Sequence, residues 1–233
     1  MTKLGIIGAM DVEVAILKEK MTEKTVQSHG GREYCVGKLS GLDVVVVQCG
    51  VGKVHAAMCT QTLCDCYGVT HIVNTGVAGS LDASLDIGDV VVSRDAMYHD
   101  FDVCAMGYPA GKVPGQDVIA FPADENMIAL AFEASEAVNP GHAKLGRVAT
   151  GDQFICRKDQ KAHIIEVTQA NCTEMEGGAI AQVAHTNGVP FVILRAISDK
   201  ADDSAEMDYP TFEKKAAEHC AAVTQRLAKR MAE

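Results

Sequence analysis

Tryptophan is absent from this chain, and aromatic residues make up only 5% of it. That scarcity disfavours the aromatic platforms on which single-stranded nucleic acids stack. Positive charge is also short, since the net charge is −10. A nucleic-acid or anionic-membrane partner needs a basic face, which this composition does not supply. No apolar run approaches the ~20 residues that cross a bilayer. No secretory signal is expected: Met1-Thr2-Lys3 runs straight into a short apolar segment, Leu4 to Ile7, stopped by Gly8. Cys64 and Cys66 lack C-x-x-C spacing, and no second Cys/His pair follows at a zinc-site distance. No metal and no cofactor are therefore expected. Nine cysteines without a secretory segment suit a reducing compartment, the cytoplasm, and an odd number cannot all pair internally.

What the chain has is apolar bulk, 48% of 233 residues, enough for a large core. Phe191 to Leu194 is an unbroken apolar run without alternation. Such runs read as strands buried on both faces, the kind found in parallel sheets. Leu4 to Ile7, Val44 to Val47, His71 to Thr75 and Gly88 to Ser93 read similarly, with Lys144 to Thr150 a further strand. Arg32 to Leu39 and Asp43 to Cys49 form a hairpin across Ser40-Gly41. Helices are expected from Asp11, from Gly52-Lys53 to about Tyr67, over Asp124 to Val138 and Asp159 to Val167, from Glu176 to His185, and over Tyr209 to Met231. Gly76 to Ser80 reads as a flexible loop after its strand, and Phe101 to Pro122 as a long loop carrying apolar residues. Strands alternating with helices predict a three-layer α/β/α fold around a mixed, mostly parallel twisted sheet. Without a linker or repeat, residues 1–233 are taken as one domain.

Familiar nucleotide and nucleophile motifs fail. Gly50-Val51-Gly52-Lys53 resembles a phosphate loop, but Val47 stands where its first glycine belongs and Val54 where its Ser/Thr belongs. No G-x-S-x-G elbow is present. Acids remain. Glu13 falls in the first turn of the first helix, Glu174 and Glu176 flank Met175, and Asp199 ends the Phe191 strand after Arg195 and Ser198. Each alone reads first as a helix cap or first-turn acid. Together they stand at strand ends, where α/β enzymes place their chemistry. Such a set suits cleavage of a glycosidic bond, which needs an acid for the leaving group and a base for water.

These motifs, in this order, closely resemble the 5′-methylthioadenosine/S-adenosylhomocysteine nucleosidases of the nucleoside phosphorylase superfamily. The match is carried by Gly5 to Met10, Glu13, Gly50 to Lys53, Asn74 to Gly79, Gly88 to Val91 and Tyr98 to Asp100. It continues in Gly151 to Phe154, Glu174 to Glu176 and Arg195 to Asp199. The resemblance implies release of adenine by hydrolysis, with Asp199 as general acid held by Ser198, and Glu13 activating water with help from Arg195. It implies ribose binding by Glu176, with Met175 packed on the sugar. Phe154 would stack on adenine, and the Ile155 backbone would read its edge. Met10, Val51 and Tyr209 would surround the sugar and 5′-alkylthio group, with Val77 where some relatives carry serine. Val103, Met106, Tyr108 and Pro114, on the 101–115 loop, would complete the pocket of a neighbouring subunit in a homodimer. A futalosine-type nucleosidase, a phosphate-dependent phosphorylase and a non-catalytic nucleoside-binding protein are the alternatives.

Overall fold

Leu4 and Ile6 point to one side of the first strand and Ile7 to the other, and all three are fully buried. That two-sided burial recurs through the sheet centre. The computed structural model describes residues 2–233. In chain order it contains β1 (Lys3–Gly8), α1 (Asp11–Lys20), β2 (Thr22–His29), β3 (Arg32–Leu39), β4 (Leu42–Gln48) and α2 (Lys53–Tyr67). Then come β5 (His71–Ser80), β6 (Val90–Tyr98), β7 (Phe121–Pro122), α3 (Glu125–Val138) and β8 (Ala143–Thr150). The last are α4 (Lys158–Thr168), β9 (Cys172–Glu174), α5 (Gly177–Asn187), β10 (Phe191–Asp199) and α6 (Ala205–Ala232).

The ten strands form one sheet. Helices α2 and α5 cover one face through Cys59, Leu63, Ile180 and Ala184. Helices α1, α3 and α6 cover the other through Leu17, Ala131 and Leu227. Each fully buried Val, Leu or Ile contributes about 1.5–3 kcal/mol, so the two cores dominate the favourable side of folding. The expected three-layer α/β/α fold is therefore present.

Parallel pairings join β4, β1, β5 and β10, and separately β6, β8 and β9. The antiparallel share is larger than the sequence suggests, five of the ten pairings. β10 pairs with β5 on one side and antiparallel with β6 on the other, while β9 returns to β5. Strands β5, β10, β6, β8 and β9 thereby close a ring, and β1 to β4 extend from it.

Three segments differ from the sequence expectation. Strand β2 has no counterpart there: its eight residues are all exposed, so no apolar pattern marks it, and pairing with β3 makes it a strand. Gly76 to Ser80 is not a flexible loop but the buried second half of β5. Helix α6 starts at Ala205 rather than Tyr209, so Pro210 lies inside it instead of in its first turn. As expected, Asp124 caps α3 by accepting from the Met127 N–H at 2.9 Å. The 101–120 segment holds one short 3-10 turn, Cys104–Met106. Among the described residues no helix is long and apolar enough to cross a membrane. All nine cysteines are unpaired.

Candidate active site

A cleft with about 540 Å³ of empty space opens at the carboxyl ends of β1, β5, β9 and β10. Its wall includes Met10, Glu13, Val51, Val77, Phe154, Met175, Glu176, Ser198, Asp199 and Tyr209. Ten of the sequence-predicted site residues thus meet around one space. Ala9, Ala78, Gly79, Thr173 and Glu174 line it too. Apart from Glu174 these carry no charge, and small neutral residues give a sequence reader nothing to select.

Asp199 arrives through an irregularity. The register between β10 and β5 shifts at Ile197/Asp199, so Asp199 pairs with Gly79. Such a bulge re-aims a side chain. A Cβ on Gly79 would come within 2.7 Å of Asp199 Oδ1, which explains a glycine inside a strand without positive φ. The carboxylate accepts from the Ala201 N–H at 2.8 Å and from the Ser198 hydroxyl at 2.9 Å. Burial raises its pKa above the usual carboxylate range, and these two donors only partly offset that. Such a carboxyl group can keep a proton to give away.

Glu13 is held from the opposite wall. It is the third residue of α1 and reaches back over the helix start. Oε2 accepts from the N–H groups of Ala9, 2.6 Å, and Met10, 2.9 Å. Oε1 accepts from the Val77 N–H at 3.1 Å. The Met10 bond satisfies the N–H at the start of α1, so Glu13 does serve as a first-turn acid, while the Val77 bond ties it to β5. Asp11, by contrast, is exposed and donates or accepts nothing at the helix start. Burial outweighs the nearby Arg195 charge and the three backbone donors, and the Glu13 pKa is raised.

Arg195 does not line the cleft. It lies fully buried behind it and ion-pairs with Glu174, with Asn74 Oδ1 2.6 Å and Glu176 Oε2 3.6 Å from its Nη2. Any side chain at Gly76 would collide with Arg195 and Glu13, so that glycine lets the arginine approach the acid. Glu174 also accepts from Thr150 and from the N–H groups of Glu176, 3.1 Å, and Gly177, 2.7 Å. It therefore fixes both Arg195 and the start of α5. Glu176 Oε1 accepts from the Gly52 N–H at 2.8 Å, and burial together with Glu174 raises its pKa. Strand β9 ends at Glu174, so alternation stops there and Met175 also faces the cleft.

The apolar rim is formed by Phe154 and Tyr209, whose rings meet edge to face 5.5 Å apart. Phe154 keeps 45% of its surface exposed, a face free to stack. The Tyr209 hydroxyl lies 3.4 Å from Met10 Sδ and donates to Glu213 at 2.9 Å. Ile155 lines a small adjoining recess with Gln153 and Asp199. Val103, Met106, Tyr108 and Pro114 are not brought to this cleft within the chain. Met106 is 69% and Tyr108 39% exposed. Among the described residues no group of three or more His, Cys, Asp or Glu side chains could hold a metal ion.

Residues 3–231 match the family described as the phosphorylase superfamily. The chain belongs to that superfamily. A curated 5′-methylthioadenosine/S-adenosylhomocysteine nucleosidase of Shewanella halifaxensis is 41% identical over 231 residues, 98% of this chain and 100% of that protein. The crystal structure of a nucleosidase of the same description from Colwellia psychrerythraea, in complex with adenine, superposes with a TM-score of 0.94. It is 39% identical and covers 97% of this chain and 94% of its own. The futalosine hydrolase of Helicobacter pylori is also similar, with a TM-score of 0.93 and 33% identity over 98% of each chain. The nucleosidase resemblance carried by the motifs is thus borne out across the whole superfamily match.

Proposed function

We propose that this protein hydrolyses the N-ribosyl bond of 5′-methylthioadenosine and S-adenosylhomocysteine, releasing adenine and the 5-thioribose product. The observation that carries the reading is the placement of Asp199 and Glu13 on one cleft, each buried and each raised in pKa. Asp199 gives its proton to the imidazole nitrogen of the leaving adenine. The C1′–N bond breaks as positive charge develops on the sugar. Glu13 takes a proton from water, whose oxygen bonds to C1′. Proton transfers of this kind are each worth about 10²–10⁴-fold.

The same reading assigns the remaining contacts. Glu176, pinned by Gly52, holds the ribose hydroxyls, and Met175 packs on the sugar. Phe154 stacks on the base, and the Ile155 backbone reads its edge. Arg195 acts from behind the wall, positioning the acids. Met10, Val51, Val77 and Tyr209 offer the 5′ group an apolar surface. No Lys or Arg lines the cleft, which favours water over phosphate as the nucleophile.

Residues 1–233 act as one domain on one continuous sheet, and the protein works as a homodimer in the cytoplasm. The exposed Met106 and Tyr108, with Val103 and Pro114, complete the partner's 5′ pocket. The futalosine hydrolase likeness sustains a second substrate reading. A panel of 5′-substituted nucleosides bearing adenine or hypoxanthine separates the two. The proposal expects turnover of the 5′-thioadenosines and fails if futalosine-like compounds alone are cleaved.

A further inference from the structure

Lys53 joins three loops at the cleft rim. Its Nζ donates to both carboxylate oxygens of Asp100, at 2.6 and 2.8 Å, and stands 3.6 Å from Asp152 Oδ2. It also lies 5.4 Å from the centre of the Tyr98 ring. The Lys53 backbone N–H donates to Asp152 Oδ1 at 2.9 Å, and the Asp152 N–H donates to Asp100 Oδ2 at 2.9 Å. The bonds close a ring through residues 53, 100 and 152. Lys53 and Asp100 are largely shielded from solvent, so these charge-assisted bonds are stronger than an exposed pair would be.

Each corner of the ring adjoins a cleft wall. Val51 and Gly52 precede Lys53, and the Gly52 N–H holds Glu176. Phe154 follows Asp152 by two residues, and Asp100 is the root of the 101–120 loop. Both loops around the ring are soft by composition. Gly50 and Gly52 have φ of +87° and +98°, and Gly151 stands beside Asp152. Glycines leave a loop many conformations, so its native one needs an outside anchor.

We infer that Lys53, with Asp100 and Asp152, is a positioning residue that sets Phe154 and the Gly50–Gly52 turn against the bound nucleoside. The inference rests on the nucleosidase reading above. None of Lys53, Asp100 and Asp152 lines the cleft; the ring acts through Phe154 and through the turn that fixes Glu176. Loss of the ammonium frees both loops while leaving Asp199 and Glu13 in place.

The test uses Lys53→Met, which keeps the aliphatic stem, with methylthioadenosine kinetics and calorimetric binding of adenine. KM and the adenine Kd are expected to rise about tenfold while kcat stays within about threefold, the pattern of lost binding that is shared by ground and transition states. Lys53→Arg restores most of the loss. In a Phe154→Ala background, Lys53→Met raises the adenine Kd by less than about twofold, because on the base the two residues act through one contact and are not additive. Unchanged KM and adenine Kd in Lys53→Met overturn the inference, as does a full additive effect on the adenine Kd in the Phe154→Ala background. If Lys53→Met does not fold, Asp152→Asn replaces it, since its Oδ1 can still accept from the Lys53 N–H. Wild-type adenine release in the same assay separates the two failures: its absence sinks the nucleosidase reading, and its presence with unaltered variants sinks this inference alone.

Discussion

The Ser198 hydroxyl donates to Asp199 Oδ2 across 2.9 Å, and both residues are almost wholly buried. The bond stabilises the Asp199 anion and so opposes the rise in pKa that burial imposes. A general acid works only while protonated, and its protonated fraction falls as pH rises through its pKa. Ser198→Ala removes a donor to the anion and lifts that pKa further. The alkaline limb of the pH profile of kcat/KM is expected to move to higher pH, as measured with methylthioadenosine.

Asp199→Asn is expected to lower turnover by about 10²–10⁴-fold, the range for losing a general acid. The same variant should be more heat-stable at neutral pH. The folded-state pKa of Asp199 is raised, so its favourable contribution is complete below the unfolded carboxylate pKa and is lost as pH rises through the folded value. Asparagine carries no charge to bury. Melting curves at acid and neutral pH check this: the gain in Tm appears at neutral pH and shrinks in acid.

Glu13→Gln should abolish turnover as strongly but should not stabilise the fold. The carboxylate accepts from Ala9, Met10 and Val77 with its two oxygens. A carboxamide offers one oxygen, so its NH₂ must face at least one backbone N–H. An unsatisfied buried donor costs about 1–3 kcal/mol. Paired activity and denaturant-unfolding measurements distinguish this outcome from that of Asp199→Asn.

Glu174→Gln removes the closest charge partner of fully buried Arg195. Breaking a buried pair by one partner costs about 3–5 kcal/mol. A loss of that order in urea unfolding is expected, larger than for any other single carboxylate of the cleft. Unchanged stability would show that Glu176 and Asn74 suffice for Arg195.

The acids were legible because strand ends and first turns can be counted from sequence, and because an apolar run ending in Arg195 and Asp199 has few other uses. The sheet centre was legible for the same reason. Strand β2 was not, since its polarity is set by exposure and its extension by β3. Gly76 and Gly79 look like loop residues in sequence. They lie in β5 because pairing with β10 and β9 extends it, and they are glycines because Arg195, Glu13 and Asp199 leave no room for a side chain, long-range demands that local composition does not encode. Glu174 was noticed by spacing, but its hold on Arg195 needed the bend after β9 to be seen.

The most direct measurement is adenine release from methylthioadenosine in rigorously phosphate-free buffer, with the sugar product identified. Hydrolysis by Asp199 and Glu13 requires adenine and free 5-methylthioribose in equal amounts, at a rate that added phosphate does not raise. No release without phosphate, restored by phosphate with formation of the sugar 1-phosphate, would contradict it.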